Sequence, residues 1–281
     1  MTDAQVRRLH TDTNSRRIRW VEVEQAGEVR RISANLIVLS AGAVNSAAIL
    51  LRSVSDRYPK GLANSSDQVG RNFMNHNCTA LLAINPLRRN DAIYQKTLGI
   101  NDFYLTDGEG GGPLGNIQLL GKVDGAILGA NARLVPQFAL NWLARHSVDW
   151  YLMSEDLPSP ESRVQIDKAG RIILDWRRSN LTAHRKLVKK ARAVMRAAGY
   201  SILLSQTFDR RSPSHQCGTI RMGNDPATAP LDTYCRSYDH ENLFVVDASF
   251  LPTSAAVNPA LTIAAQALRV AEHIKLTELQ K

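Results

Sequence analysis

The sequence predicts an α/β fold in which pieces of a parallel sheet enclose a separate antiparallel one, and three observations carry that expectation. Two short apolar runs, Leu36 to Leu39 (LIVL) and Leu243 to Val246 (LFVV), each pass into a turn of small residues. Continuous apolar runs are what strands covered on both faces require. A helical stretch follows each, NSAAILLRS from Asn45 to Ser53 and ALTIAAQALRVAEHI after Asn258-Pro259. Between them lies a series of strand-like runs joined by turns instead of helices, which indicates an antiparallel sheet.

Taken in order, Ile18 to Glu24 and Glu28 to Ile32 flank Gln25-Ala26-Gly27, and their alternating apolar and polar residues predict a hairpin. After LIVL, the turn Ser40-Ala41-Gly42-Ala43 lets backbone approach a ligand closely, because it carries almost no side-chain bulk. Residues 61 to 77 read as loop, and Thr79 to Ile84 as a strand. Gly108 to Gly115 (GEGGGPLG) is a flexible loop that neither follows a convincing strand nor opens a periodic helix. Asn116 to Leu120, Trp150 to Met153, Arg163 to Asp167 and Ile172 to Trp176 are strand candidates, the last two joined by Lys168-Ala169-Gly170 as a hairpin. From Leu181 to Ala198 the positions Leu187, Val188, Ala191, Val194 and Met195 recur at helical spacing, and Gly199 ends that helix. Asn258 before Pro259 suits a helix start, since asparagine can cap free N–H groups and proline at the first position loses no donor.

Composition narrows the classes of function. With 281 residues and 44% hydrophobic content, the chain has material for one large domain or two ordinary ones. No run long enough to span a bilayer and no apolar secretory leader occurs, so a cytoplasmic protein is expected. Cys78, Cys217 and Cys235 are far apart and suggest neither a zinc site nor a disulfide framework; Cys217 reads as a small buried thiol. The net charge of +9 is spread over scattered basic residues without aromatic stacking partners, so no nucleic-acid site is expected.

The chemistry concentrates near the end of the chain. His215, Gly218, Thr219, Arg221, Met222 and Gly223 form H-x-x-G-T-x-R-M-G; Val245 to Pro252 read V-V-D-A-S-x-x-P, and Asn258 to Thr262 read N-P-x-L-T. Together with VLSAGAVNSAAILLRS (Val38 to Ser53) and QVGRNFMNH (Gln68 to His76), these blocks resemble the glucose-methanol-choline, or GMC, oxidoreductases. The similarity runs from about residue 16 to the end.

The resemblance implies FAD as cofactor and oxidation of an alcohol to a carbonyl, with a sugar or glycoside hydroxyl as substrate and an unspecified electron acceptor. It makes His215 the base that takes the hydroxyl proton as hydride leaves for flavin N5, which suits the near-neutral pKa of imidazole. Asn258 occupies the partner position, where an amide can hydrogen-bond the alcohol or carbonyl oxygen. Ala41, Gly42 and Asn45 match one cofactor-side turn, and Asp247 and Ala248 a second, near the ribityl-phosphate. Pro259 and Leu261 open a helix whose positive end faces the flavin. His76 reads as structural, in a block where Asn75 stands in place of the family's usual Asp.

The implied organisation is a partial FAD-binding, Rossmann-like domain from residues 1–77 and 206–281, with a substrate domain of antiparallel sheet and flanking helices at 78–205. No strand with a G-x-G-x-x-G dinucleotide loop stands before Arg17, so the chain is expected to be a C-terminal portion without that unit. Three origins stay open: a fragment of a longer enzyme, a split enzyme whose second chain carries the dinucleotide half, or an inactive module serving assembly or interaction.

Overall fold

A computed structural model of the chain describes residues 1–12, 16–93, 96–209 and 212–279. It opens on a three-stranded antiparallel meander of β1 (Ala4–Thr11), β2 (Ile18–Gln25) and β3 (Glu28–Ile32). The β2–β3 hairpin is the one expected, turning through Ala26 and Gly27 at φ of 53° and 81°. Strand β1 was not anticipated, because its apolar Val6 and Leu9 alternate imperfectly among charged residues. Pairing with β2 supplies what the pattern lacks, and Leu9 and Ile18 enter the main core.

β4 (Ile37–Leu39) leads into α1 (Ala43–Arg52), which starts two residues before Asn45. β4 pairs in parallel with β12 (Leu243–Val245), so the two apolar runs meet as neighbours. β12 is wholly buried, but Val38 in the middle of β4 is 50% exposed, so only one of the two runs is covered as the sequence leads one to expect.

The second sheet contains β5 (Asn77–Ile84), β6 (Gly99–Ile100), β7 (Asn116–Leu119), β8 (Ser147–Ser154) and β11 (Ile202–Thr207), in the antiparallel order β11-β5-β8-β7-β6. α2 (Gly125–Asn131) and α3 (Gln137–Arg145) form an unforeseen pair before β8. Two glycines weaken the helical signal of α2, yet Asp124 caps it by accepting from the Ile127 N–H at 2.8 Å. The β9 (Arg163–Ile166) and β10 (Ile172–Asp175) hairpin follows, then α4 (Leu181–Ala197), and a 3-10 turn at Ala248–Phe250 precedes α5 (Ala260–Glu278). The glycine-rich stretch 108–115 runs into a strand, with the Asp107 carboxylate accepting from the N–H groups of Glu109 and Gly111.

Alternation in the second sheet decides what faces the site. Leu81, Ala83, Ile117, Leu119, Trp150 and Leu152 pack on one side against Leu187, Ala191 and Met195 of α4. With a period of two, Cys78, Gln118, Tyr151 and Met153 must point to the other side. Gln118 and Tyr151 are register partners there.

Candidate active site

Two segments run side by side to make the floor of the site. The Met74 and Cys217 backbones exchange hydrogen bonds of 3.0 and 2.9 Å, and the His76 N–H donates to the Ser214 carbonyl at 3.2 Å. Gly218 is obligatory at their junction: its φ is 87°, and a Cβ there would lie 2.5 Å from the Asn72 carbonyl oxygen and 2.3 Å from Met74 Cε. The Thr219 hydroxyl donates to the Ala43 carbonyl, while the Gly218 and Ile220 N–H groups donate to Ala248 and Ser249. The Gly-Thr pair therefore ties the histidine loop to both turns that lead into α1 and α5. His215 itself sits at φ 62°, a left-handed conformation uncommon for a residue with a side chain.

His215 and Asn258, 43 residues apart, meet: Asn258 Nδ2 lies 3.2 Å from His215 Nε2. The Asn258 side chain does not cap α5. The helix begins with Pro259 as its N-cap residue and has no side-chain cap, because the Asn258 amide is engaged by His215 and by Gln118, whose Nε2 donates to Asn258 Oδ1 at 2.7 Å. On the other side of the ring, His215 Nδ1 lies 2.9 Å from His76 Nδ1 and 3.2 Å from Ser214 Oγ, which accepts from the Tyr151 hydroxyl at 2.7 Å. His76 Nε2 lies 2.7 Å from the Ser254 carbonyl. Burial, then the neighbouring His76 and Lys96, lowers the His215 pKa to about 4, and burial also lowers that of His76. Both rings are neutral at neutral pH. Cys217 is buried, and burial pushes its thiol up to about 12, which suits an inert packing role.

Of the cofactor-side positions, Asp247 is an organiser of backbone. One carboxylate oxygen accepts from the Gly42 N–H and the Ser46 hydroxyl, the other from the N–H and hydroxyl of Ser249. It thereby clamps the start of α1 to the turn after β12. Ala41, Asn45 and Leu261 are exposed, Gly42 and Pro259 are half-buried, and Ala248 packs against the core. Neither α1 nor α5 has a side-chain cap or an acidic residue in its first turn. The start of α1 already faces the Asp247 carboxylate, whereas the uncapped positive end of α5 fits a cofactor ring that gains negative charge on reduction. Among the described residues, no cluster of metal-binding side chains occurs.

Residues 1–78 and 158–267 match two family models, each described as GMC oxidoreductase, and together they span two-thirds of the chain. The chain belongs to the GMC oxidoreductase family. At family level this means FAD-dependent oxidoreductases acting on alcohol-type substrates.

Among similar proteins are 2-methyl-1,2-propanediol dehydrogenase of Mycolicibacterium austroafricanum, 27% identical, and the fructose dehydrogenase large subunit of Gluconobacter japonicus, 28% identical. Each alignment takes in 97% of this chain and 53% of the relative, so the chain spans about half the length of the curated relatives it matches. A formate oxidase structure from Aspergillus oryzae superposes with a TM-score of 0.68 at 14% identity, covering 99% of this chain and 60% of that one. The pyridoxine 4-oxidase structure gives 0.66 at 22% identity, covering 96% and 57%. These two share the mixed α/β fold.

The match over residues 1–78 corrects one expectation: the chain is not a C-terminal portion without the family's N-terminal part. The second chain carrying that part, one of the three origins left open, falls with it. In physical terms, residues 4–11 are a paired strand whose Leu9 is buried in the main core, continuous with the parallel strands and α1. Among the described residues, no helix is long and apolar enough to cross a membrane.

Three site residues carried no sequence signal as functional groups. Gln118 lies in an ordinary strand, Ser214 adjoins the histidine, and His76 read as structural. Register places Gln118, and the 72–77 segment places His76.

Proposed function

We infer that the chain performs FAD-dependent oxidation of an alcohol to a carbonyl, and the observation that carries this is the meeting of His215 Nε2 with the Asn258 amide beside the start of α5. FAD, when bound, supplies the two-electron acceptor at its N5. His215, neutral at neutral pH, takes the hydroxyl proton at Nε2. Asn258 Nδ2 donates to the same oxygen as it changes from alkoxide to carbonyl, which positions the carbon for hydride loss. Asp247, Gly42, Ala41, Asn45 and Ala248 shape the cofactor-side turn, and Pro259 and Leu261 present the positive end of α5. The sheet built from residues 78–205 contributes the wall that carries Gln118 and Tyr151 and takes the substrate-domain role. The domain at 1–77 and 206–281 holds the cofactor.

Polyhydroxy compounds are the favoured substrate class. The relatives' names include a 2-methyl-1,2-propanediol dehydrogenase, a fructose dehydrogenase large subunit, and, from Streptomyces, a 6'''-hydroxyparomomycin C oxidase and a paromamine 6'-oxidase. The site's polar groups, Asn258, Gln118, Ser214 and Tyr151, suit neighbouring hydroxyls. Anaerobic addition of fructose or a vicinal diol to the FAD-loaded protein is expected to bleach its visible absorbance. Deuterium on the reacting carbon should slow that bleaching several-fold. A flavin that stays oxidised with every polyol and simple alcohol would refute the proposed reaction.

A further inference from the structure

Five groups form one continuous line through the site: Gln118 Nε2, Asn258, His215, His76 and the Ser254 carbonyl, joined by contacts of 2.7, 3.2, 2.9 and 2.7 Å. Imidazole and carboxamide can each run such a line in either direction, so their geometry alone leaves the protons unplaced. The last member decides. A backbone carbonyl only accepts, so His76 carries its proton on Nε2, and its Nδ1 is left with a lone pair.

Both rings being neutral, the 2.9 Å contact between the two Nδ1 atoms holds one proton, and it belongs to His215. The alternative, two lone pairs facing each other at that distance, is repulsive. His215 Nε2 is then unprotonated and accepts from Asn258 Nδ2. This leaves Asn258 Oδ1 for the amide of Gln118. Ser214 does not disturb this order: its oxygen accepts from Tyr151 and lies 3.2 Å from His215 Nδ1, where it can share the same proton as a second acceptor.

We propose that His76 is a positioning residue that, anchored on the Ser254 carbonyl, holds His215 in the Nδ1–H tautomer and so keeps Nε2 unprotonated, its lone pair held by the Asn258 amide until a substrate hydroxyl takes that place. The inference rests on the reading of His215 as the base. Its physical content is separate, because the tautomer exists whether or not the base acts. His76 is 2% exposed and cannot exchange its partner for water, which is what a fixed tautomer needs. Gln118 performs the matching task at the other end, turning the Asn258 amide so that its N–H, not its oxygen, meets the base. When His215 takes the substrate proton, its Nδ1–H remains donated to His76, so the imidazolium keeps a neutral acceptor behind it.

The test is the ring nitrogen spectrum of the full chain with ¹⁵N-histidine, recorded at neutral pH with and without FAD and assigned by single histidine variants. The expected result is an unprotonated Nε2 in His215 and an unprotonated Nδ1 in His76. In His76→Ala, His215 should move to a mixture of tautomers or to Nε2–H. In His76→Asn, whose Oδ1 replaces the Nδ1 acceptor, it should return to Nδ1–H. A wild-type His215 protonated on Nε2 would overturn the proposal, as would an unchanged tautomer in a folded His76→Ala. Should His76→Ala not fold, the wild-type spectrum and His76→Asn still decide. Flavin reduction read on the same variants separates the two ideas. A loss of roughly tenfold or more in His76→Ala, restored in His76→Asn, is expected if His215 is the base. Undiminished reduction in His215→Ala with the tautomers as described would sink the base and leave the line of hydrogen bonds standing.

Discussion

At the scale of single residues, the site is legible where a side chain's chemistry sits inside a short motif and obscure where register delivers it. His215 and Asn258 belong to H-x-x-G-T and N-P-x-L-T, and the structure brings their side chains together. Gln118 has no such marker, since its place follows from pairing with Tyr151 on the sheet face away from α4. The lowered pKa of His215 has a kinetic consequence. A base must be unprotonated, and a value of about 4 keeps it so well below the ordinary 6.5. A pH profile of kcat/KM for the FAD-loaded protein should stay level from neutral pH downward and fall only through about 4; a fall centred near 6.5 would show that burial does not hold in the working enzyme. Removing the amide in Asn258→Ala should lower kcat by about 10²–10³ with the flavin still bound, in keeping with loss of one preorganised donor to the reacting oxygen.

At the scale of elements, the two apolar runs LIVL and LFVV were readable as strands from their composition, although only LFVV is fully buried and Val38 is half exposed. They pair as parallel neighbours, each edge supplying the backbone N–H and C=O groups that the other needs. Strand β1, the α2–α3 pair and β11 were not readable. Charged residues dilute the alternation of β1, glycines weaken α2, and β11 packs only Leu203 into the core. Tertiary pairing outweighs local propensity in all three. The Gly-Thr junction is the element-level weak point, because it joins the histidine loop, the 72–77 segment and the turn after β12. Gly218→Ala combines a left-handed φ of 87° with a Cβ 2.5 Å from the Asn72 oxygen. It is expected to cost about 1–3 kcal/mol in urea unfolding and to displace His215. Asp247→Ala releases α1 from the turn after β12, and should weaken FAD retention in gel filtration more than it shifts the unfolding midpoint.

At the scale of the molecule, three buried histidines and the half-buried His215 tie stability to pH. Burial lowers the pKa values of His184, His215 and His240 to about 4 and lowers that of His76. The unfolded chain protonates these rings near 6.5, where the folded chain does not. Their stabilisation is therefore complete above about 6.5 and declines as pH falls toward about 4, where the folded rings also protonate. Urea midpoints measured across that range should drop steadily on acidification; a flat response would place these rings in contact with water. The separate antiparallel sheet, lying in sequence between the two parallel strands, was legible from the order of the apolar runs. Which face of the sheet turns toward His215 was not, because it depends on the packing of α4. The rate of anaerobic FAD reduction by a saturating alcohol, compared between wild type and His215→Ala, tests the proposed role of His215 most directly. A fall of about 10²–10⁴-fold is predicted, with FAD content unchanged. Reduction at the wild-type rate would contradict it.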